Sequence, residues 1–481
     1  MIQKKYPKGI NINSEEDEIL QKVALAAKEL SVEAYVIGGF VRDKLLKKTA
    51  RKDIDFVCVG SGVDFAVQSA GKFENSSEPA IFKNFGTAMF KVDDFELEFV
   101  GARKESYDQN SRKPMVENGT LEDDQKRRDF TINALAISLN EENYGKLLDP
   151  FDGIKDLKKR LVQTPLDPDK TFSDDPLRML RAIRFAAQLD FRIEEKTFAS
   201  IKNNSHRIEI ISMERISSEL NKILMVDKPS YGMDLMFKSG LLKYFLPELV
   251  ELEGVEIIEG HGHKDNFYHT LKVVDNLAQQ SDDLWLRWAA LLHDIGKPRT
   301  KRFEKGHGWT FHAHDVVGAK MVNRIFKRLR LPLNEKMRFV EKLVLLHLRP
   351  IGLDKENITD SAIRRLLYDA GDDIDDLMDL CEADITSKNE YKVKKYLQNL
   401  KLVRLKLKEL EEKDHIRNFQ PPVSGEDIMK AFYIKPGKEI GVIKNMIKEA
   451  ILDGKLPNKR EAALEYMYDL GKQMGLKAVN E

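Results

Sequence analysis

Apolar positions change their spacing once along this chain. Over residues 15–30 they recur every three or four positions, which predicts an amphipathic helix. Short alternating or continuous apolar runs follow: "AYVIGG" (34–39), "DIDFVCVG" (53–60) and "TAMFKVDDFELEFV" (87–100). The first two read as strands, and the third as a hairpin turning at Asp93 and Asp94. From about residue 154 the spacing is helical and stays so to the C-terminus, which predicts an α+β head followed by an all-α body. The polar stretch 104–126, "KESYDQNSRKPMVENGTLEDDQK", interrupts the head and reads as a mobile loop. A charged helix is expected over 390–413, and "QPP" (420–422) marks a boundary before a small helical unit. The pattern thus divides the chain at 1–153, 154–250, 251–390 and 391–481.

Composition narrows this picture in three ways. The 481 residues carry 79 basic and 79 acidic side chains, so the whole-protein field steers nothing and any nucleic-acid contact needs a local basic patch. Only two cysteines occur, Cys58 and Cys381, which excludes a dense disulfide framework and fits a reducing, cytoplasmic setting. "MIQKKYPKGININSEEDEIL" has no signal-like apolar stretch and no uncharged apolar run of 18 residues appears later, so no membrane role is expected.

The chemistry begins in "RKDIDFVCVG", where Asp53 and Asp55 leave one face of an apolar strand. Two like charges that close repel, and the natural guest between them is a divalent metal. Upstream, "YVIGGFVRDKLL" runs from a strand through Gly38 and Gly39 into a helix expected to begin near Val41. Glycines there let the backbone approach a phosphate. A phosphate cradle 14 residues before a carboxylate pair is the arrangement nucleotidyl transfer requires, with magnesium bridging carboxylates and triphosphate. Glu96 and Glu98, on one face of the hairpin's second strand, offer a third carboxylate.

"GGFVRD" followed by "KDIDF" resembles the polymerase-β-like nucleotidyltransferases of the class II CCA-adding enzyme and bacterial poly(A) polymerase family. "RRDFTINALAI" (127–137), "DPFDGIKDLKKR" (149–160), "DDPLRMLRAIRFAAQLDF" (174–191) and "ERISSELNKIL" (214–224) are similar to that family's later motifs, in the same order. The resemblance implies that Asp53 and Asp55 bind metal and that Glu98 is the better-placed third carboxylate. It also implies a nucleotide site at Gly38, Gly39, Arg42, Arg128, Asp129, Asn133, Asp175, Arg178 and Arg181, with Asp129 and Asn133 at the ribose and Arg127 or Arg128 near the triphosphate. Asp174 stands where the family usually has glutamate. Read as a helix start, "DDPLR" puts Asp175 and Arg178 on one face, with Pro176 in the first turn behind a Ser173 or Asp174 cap. An acceptor and a donor so placed match the amino and ring-nitrogen edge shared by cytosine and adenine, and reject guanine and uracil.

Eight of the ten histidines fall between residues 261 and 347. "NFYHTLKVV", "WAALLHDIGKP", "FHAHDVVGAKM" and "LVLLHLRP" place His269, His293 with Asp294, His314 and His347 on successive apolar helices, and "CEADITSK" adds Asp384. This string resembles the HD superfamily of metal-dependent phosphohydrolases. The resemblance implies His269, His293, Asp294 and Asp384 as ligands of a divalent metal, and Lys297, His314 and His347 as supports for a second metal or a phosphate. Near the C-terminus, "YIKPGKEIGVIKNMIKEAILDGKLPNKREAA" combines a turn, a helix start and lysines that suit an RNA backbone.

The expected function is template-independent addition or repair of the tRNA 3′ CCA end from CTP and ATP, with an appended phosphohydrolase. A poly(A) polymerase and an enzyme adding only CC or only A are the alternatives within the family. An HD hydrolase with a nucleotide-sensing head is the alternative outside it. Oligomeric state is open.

Overall fold

The computed structural model describes the chain except for residues 1–5, 8, 49–51, 83–85, 107–114, 260, 354–357, 388, 415, 418 and 480–481. Chain contacts divide it into two compact units, one of residues 1–226 with 231–245 and the other of residues 227–230 with 246–481.

The first unit begins with helix Ser14–Glu29, whose start is set by a reciprocal cap: Asn13 Oδ1 accepts from Glu16 N (2.8 Å), and Glu16 Oε2 accepts from Asn13 N (3.0 Å). Its sheet contains β1 (Ala34–Ile37), β2 (Asp53–Cys58), β3 (Ala80–Phe82), β4 (Thr87–Val92) and β5 (Phe95–Gly101), together with strands Ala136–Ser138 and Leu147–Leu148. The order is β3-β4-β5-β2-β1, then Ala136–Ser138 and Leu147–Leu148. The hairpin β4–β5 turns at Asp93, which adopts φ +50°. β2 lies antiparallel to β1 but parallel to β5.

Strand periodicity explains where the carboxylates go. Phe56, Phe90 and Phe99 stack in one core, with ring centroids 5.0 and 5.2 Å apart, and the Phe65 ring meets Phe99 edge-on at 5.1 Å. Burying those rings turns Asp53, Asp55, Glu96 and Glu98 to the opposite face.

The stretch 104–126 departs from the expected loop. Arg103–Ser106 pairs antiparallel with Met115–Asn118, and Leu121–Lys126 is a helix capped by Thr120. Residues 107–114 of the stretch lie outside the described residues. After Lys159 the unit is helical apart from the two-residue pair Leu161–Val162 and Arg192–Ile193.

The second unit carries helices Asn266–Ala278, Leu284–Leu292, His314–Arg328, Glu335–Leu346 and Ile374–Asp384, then the long helix Glu390–Asp414 and three shorter ones, Gly425–Phe432, Lys438–Leu452 and Arg460–Gln473. Cys58 and Cys381 are both buried and free. Among the described residues no helix is long and apolar enough to cross a membrane.

Candidate active sites

Gly38 ends β1 and caps helix Gly39–Leu45, which starts two residues before the expected Val41. Its φ of +83° suits glycine, and a Cβ there would lie 3.1 Å from Arg128 Nη1 and 3.3 Å from Asp55 Oδ2. The glycine turn, the strand carboxylate and the "RRD" segment therefore meet at one point. In β2–β5 register, Asp53 stands opposite Glu96 and Asp55 opposite Glu98. Although Glu98 is exposed as a residue, desolvation of its carboxyl, then the charges of Asp55 and Glu96, push its pKa up. A divalent cation fits this set, because it removes the repulsion that the four carboxylates otherwise bear.

A chain of buried polar contacts holds the neighbouring residues. Arg42, 1% exposed, donates from Nε to Asp43 Oδ1 (2.7 Å) and from Nη1 to Asn133 Oδ1 (2.6 Å), while its Nη2 has no hydrogen-bond partner among the described residues. Asn133 Nδ2 donates to Asp129 Oδ1 (3.0 Å), and Arg181 donates from Nε to Asp129 Oδ2 (2.8 Å). Burial works against the Asp129 charge, but Arg181 and the Asn133 hydrogen bond hold its carboxyl down at about 2. Asp124, fully buried, accepts from Nε of both Arg127 (2.9 Å) and Arg128 (3.1 Å).

These side chains border a cavity of about 270 Å³ lined by Arg127, Arg128, Asp129, Asp175, Arg178 and Arg181, with Arg215. The expected shared helical face of Asp175 and Arg178 is corrected here. Helix Pro168–Asp174 stops, Asp175 is extended (φ −137°, ψ 99°), and Pro176 caps the next helix, Leu177–Leu189. The proline ring disfavours helical backbone at the residue before it, so Asp175 marks a break rather than a turn. Its Oδ1 accepts from Leu177 N (3.1 Å) and its Oδ2 lies 3.6 Å from Arg215 Nη2. Arg178 donates to the Arg127 carbonyl (2.7 Å). Both residues still face the same cavity. Arg215 lies in the "ERISSELNKIL" motif but is not among the site residues singled out from the sequence; it reaches the cavity from helix Met213–Leu224.

The second unit gathers every histidine and aspartate picked out there. The ligand atoms of His269, His293 and Asp384 lie within 4.8 Å of one another, as do those of Asp294, His314 and His347. Asp294 joins the two sets: Oδ2 is 3.2 Å from His293 Nε2 and 3.6 Å from His269 Nε2, and Oδ1 is 3.3 Å from His314 Nε2. Backbone carbonyls of Ala290, Phe311 and Val344 take Nδ1–H of His293, His314 and His347, at 2.7, 2.8 and 2.7 Å. That holds Nδ1–H on the carbonyls and turns Nε2 toward Asp294, and among the described residues none of the three buried Nε2 atoms has a partner in hydrogen-bond geometry. Burial, then the neighbouring His293, push His347 down to about 4, so it is neutral at pH 7. Burial opposes the Asp384 charge, yet the His269 hydrogen bond and His293 hold its carboxyl at about 2. Orphaned imidazole nitrogens beside ionised carboxylates suit a pair of divalent cations. Lys297 does not face this centre freely: its Nζ bonds Asp294 Oδ2 at 2.6 Å.

Gly296 makes the two sets adjoin. A Cβ at that position would stand 2.2 Å from the His314 carbonyl oxygen and 2.7 Å from Gly318 N. Gly296→Ala should therefore force helix His314–Arg328 away and cost about 2–3 kcal/mol. Thermal unfolding reads the loss, and calorimetric titration with manganese should show weakened metal uptake.

Three family descriptions match the chain in order: a poly(A) polymerase head domain over 34–163, a probable RNA and SrmB-binding site of polymerase A over 190–252, and an HD domain over 266–389. The A-adding tRNA nucleotidyltransferase of Deinococcus radiodurans is 32% identical over 353 residues, which cover 71% of this chain and 78% of that protein. The chain belongs to the tRNA nucleotidyltransferase and poly(A) polymerase family. Another member, the A-adding tRNA nucleotidyltransferase of Aquifex aeolicus, is 33% identical over 360 residues, 68% of this chain but 42% of that longer protein. The CCA-adding enzyme of Ligilactobacillus salivarius is 29% identical over 452 residues, 93% of this chain and 94% of its own. The CCA-adding enzyme of Bacillus stearothermophilus, solved with CTP, shares the fold with a TM-score of 0.65 at 22% identity, covering 95% of this chain and 98% of that one. This nucleotidyltransferase family member therefore pairs a polymerase-β-like head with a helical body containing an HD domain, and both parts are of kinds that use divalent metals.

Proposed function

We propose that this chain completes the 3′ CCA end of tRNA from CTP and ATP at its head and hydrolyses a phosphate ester at its HD domain. The observation that carries the first activity is the convergence of the acceptor Asp175 with the donor Arg178 in one cavity beside Asp129. Cytosine and adenine share an edge that such a pair satisfies, and a mispaired base leaves a polar group unmatched at about 1–3 kcal/mol.

Asp53, Asp55 and Glu98 would hold magnesium, which when bound neutralises the α-phosphate and favours ionisation of the attacking 3′ hydroxyl. The remaining roles fall to the chain itself. Gly38 and Gly39 let the backbone close on the triphosphate, Arg128 and Arg42 balance its charge, and Asp129 with Asn133 forms the ribose side. Arg181 keeps Asp129 ionised and in place. In the HD domain His269, His293 and Asp384 would hold one ion and Asp294, His314 and His347 another; two imidazole nitrogens with a carboxylate suit manganese, cobalt or nickel better than oxygen-preferring magnesium. The lysine-bearing helix Lys438–Leu452 is assigned to the tRNA backbone, and the reaction to the cytoplasm. The finer division into head 1–153, neck 154–250, HD domain 251–390 and tail 391–481 belongs to this reading.

A second reading, addition of the terminal A alone, draws on the names of the Deinococcus and Aquifex relatives. The test is full-length protein with magnesium, tRNA ending before CCA or after CC, and each NTP alone or combined. CCA followed by a stop on the shorter tRNA supports the proposal. Growth only on the CC-ended tRNA with ATP supports the second reading, and long oligo(A) tails identify a poly(A) polymerase.

A further inference from the structure

Beside His269 opens a cleft of about 320 Å³ with a split lining. Lys264 and Lys297 form its cationic side, next to the ion-binding residues. Phe311, Ile385 and Tyr396 form its apolar side. Tyr396 is the unexpected member. It lies on helix Glu390–Asp414, beyond residue 389 where the match to the HD domain ends.

The periodicity of that helix places Tyr396. Leu400, Val403, Leu407 and Leu410 are buried and form the stripe at three- and four-residue spacing that packs the helix down. Tyr396 stands one turn earlier on the same stripe, yet it keeps 44% of its surface exposed. The stripe thus runs on to the lining of the cleft, where Tyr396 is only partly covered. Opposite stand two anchored amines that mark the side for an anion: Lys264 Nζ is held by Thr386 Oγ1 at 2.7 Å and stands 3.0 Å from His269 Nδ1, and Lys297 Nζ is held by Asp294 Oδ2 at 2.6 Å and stands 5.7 Å from the centre of the Phe311 ring.

We propose that Tyr396 is a specificity-determining residue of the HD site, selecting phosphate esters whose alcohol carries a flat ring. The phosphate lies toward Lys264 and Lys297 while the ring stacks on Tyr396, so a nucleoside phosphate is the preferred class over an aliphatic ester. This rests on the hydrolase reading of the HD domain. It also means that the helix after the domain contributes selection while the histidine and aspartate cluster contributes the chemistry.

The experiment uses the full-length, manganese-loaded protein with AMP and glycerol 2-phosphate as substrates. Tyr396→Ala should raise KM for AMP about tenfold more than for glycerol 2-phosphate, with kcat little changed, and Tyr396→Phe should retain the wild-type KM. Equal changes for the two esters, or failure of Tyr396→Phe to rescue, would overturn the proposal. If the wild type hydrolyses neither ester with magnesium, manganese, cobalt or nickel, the hydrolase reading fails, and calorimetric titration with AMP decides the rest. AMP binding weakened about tenfold in Tyr396→Ala and kept in Tyr396→Phe supports a ring-binding wall; equal affinity in all three proteins overturns it.

Discussion

Asp53→Ala and Asp55→Ala are each expected to lower nucleotide addition by at least about 10³-fold, because a lost metal contact removes several kcal/mol of transition-state stabilisation. The fold should survive. Both carboxylates leave the face of β2 opposite the stacked phenylalanines, and each faces another acid across the β2–β5 pairing. Removing one relieves repulsion in the metal-free protein, so thermal unfolding should be unchanged or slightly later, and the pKa of Glu98 should fall toward its ordinary value when Asp55 is the residue removed. Incorporation of labelled CTP and ATP into tRNA lacking CCA, with magnesium varied, measures the first effect. Wild-type incorporation by both folded variants would show that the carboxylates do not carry the reaction.

Asp294→Asn is expected to cut phosphate-ester hydrolysis by about 10²- to 10³-fold, since Asp294 reaches both histidine sets through its two oxygens. The amide keeps the volume and loses the charge. Alanine is a harsher choice: Asp294 is 2% exposed and its Oδ2 takes the Lys297 ammonium at 2.6 Å, so truncation strands a cation at a cost of about 3–5 kcal/mol. Nucleotide addition should persist in Asp294→Asn, because the head site is built entirely from residues of the first compact unit. Parallel assays on one preparation, with metal content measured, separate the outcomes. Loss of both activities without unfolding would contradict independent sites.

Much of this was legible because period and spacing are local. Alternation in "DIDFVCVG" and "FELEFV" set both strands and the face of their carboxylates, and the histidine spacing matched helices that bring the same residues together. Misreadings came where one local rule competed with another. Pro176 suits a first helical turn, but it also constrains its predecessor, and that second effect made Asp175 a break. In 104–126 the polar residues masked a strand pair that has few apolar side chains to announce it. Arg215 lies in a quoted motif and Tyr396 on the apolar stripe of its helix, but only tertiary packing shows that they, with Lys264, line cavities.

The parallel pairing of β2 with β5 bears on how the head is made during synthesis. β2 cannot complete its place in the sheet with the strand that follows it; its partner comes only at Phe95–Gly101, and β1 waits longer still, for Ala136–Ser138. Closing such loops before any contact repays them is slow. A nascent chain halted before residue 95 would leave the backbone of one edge of β2 without its partner, and Asp55 without Glu98 opposite it. Both central strands are therefore closed on each side only once residues 136–138 have been made.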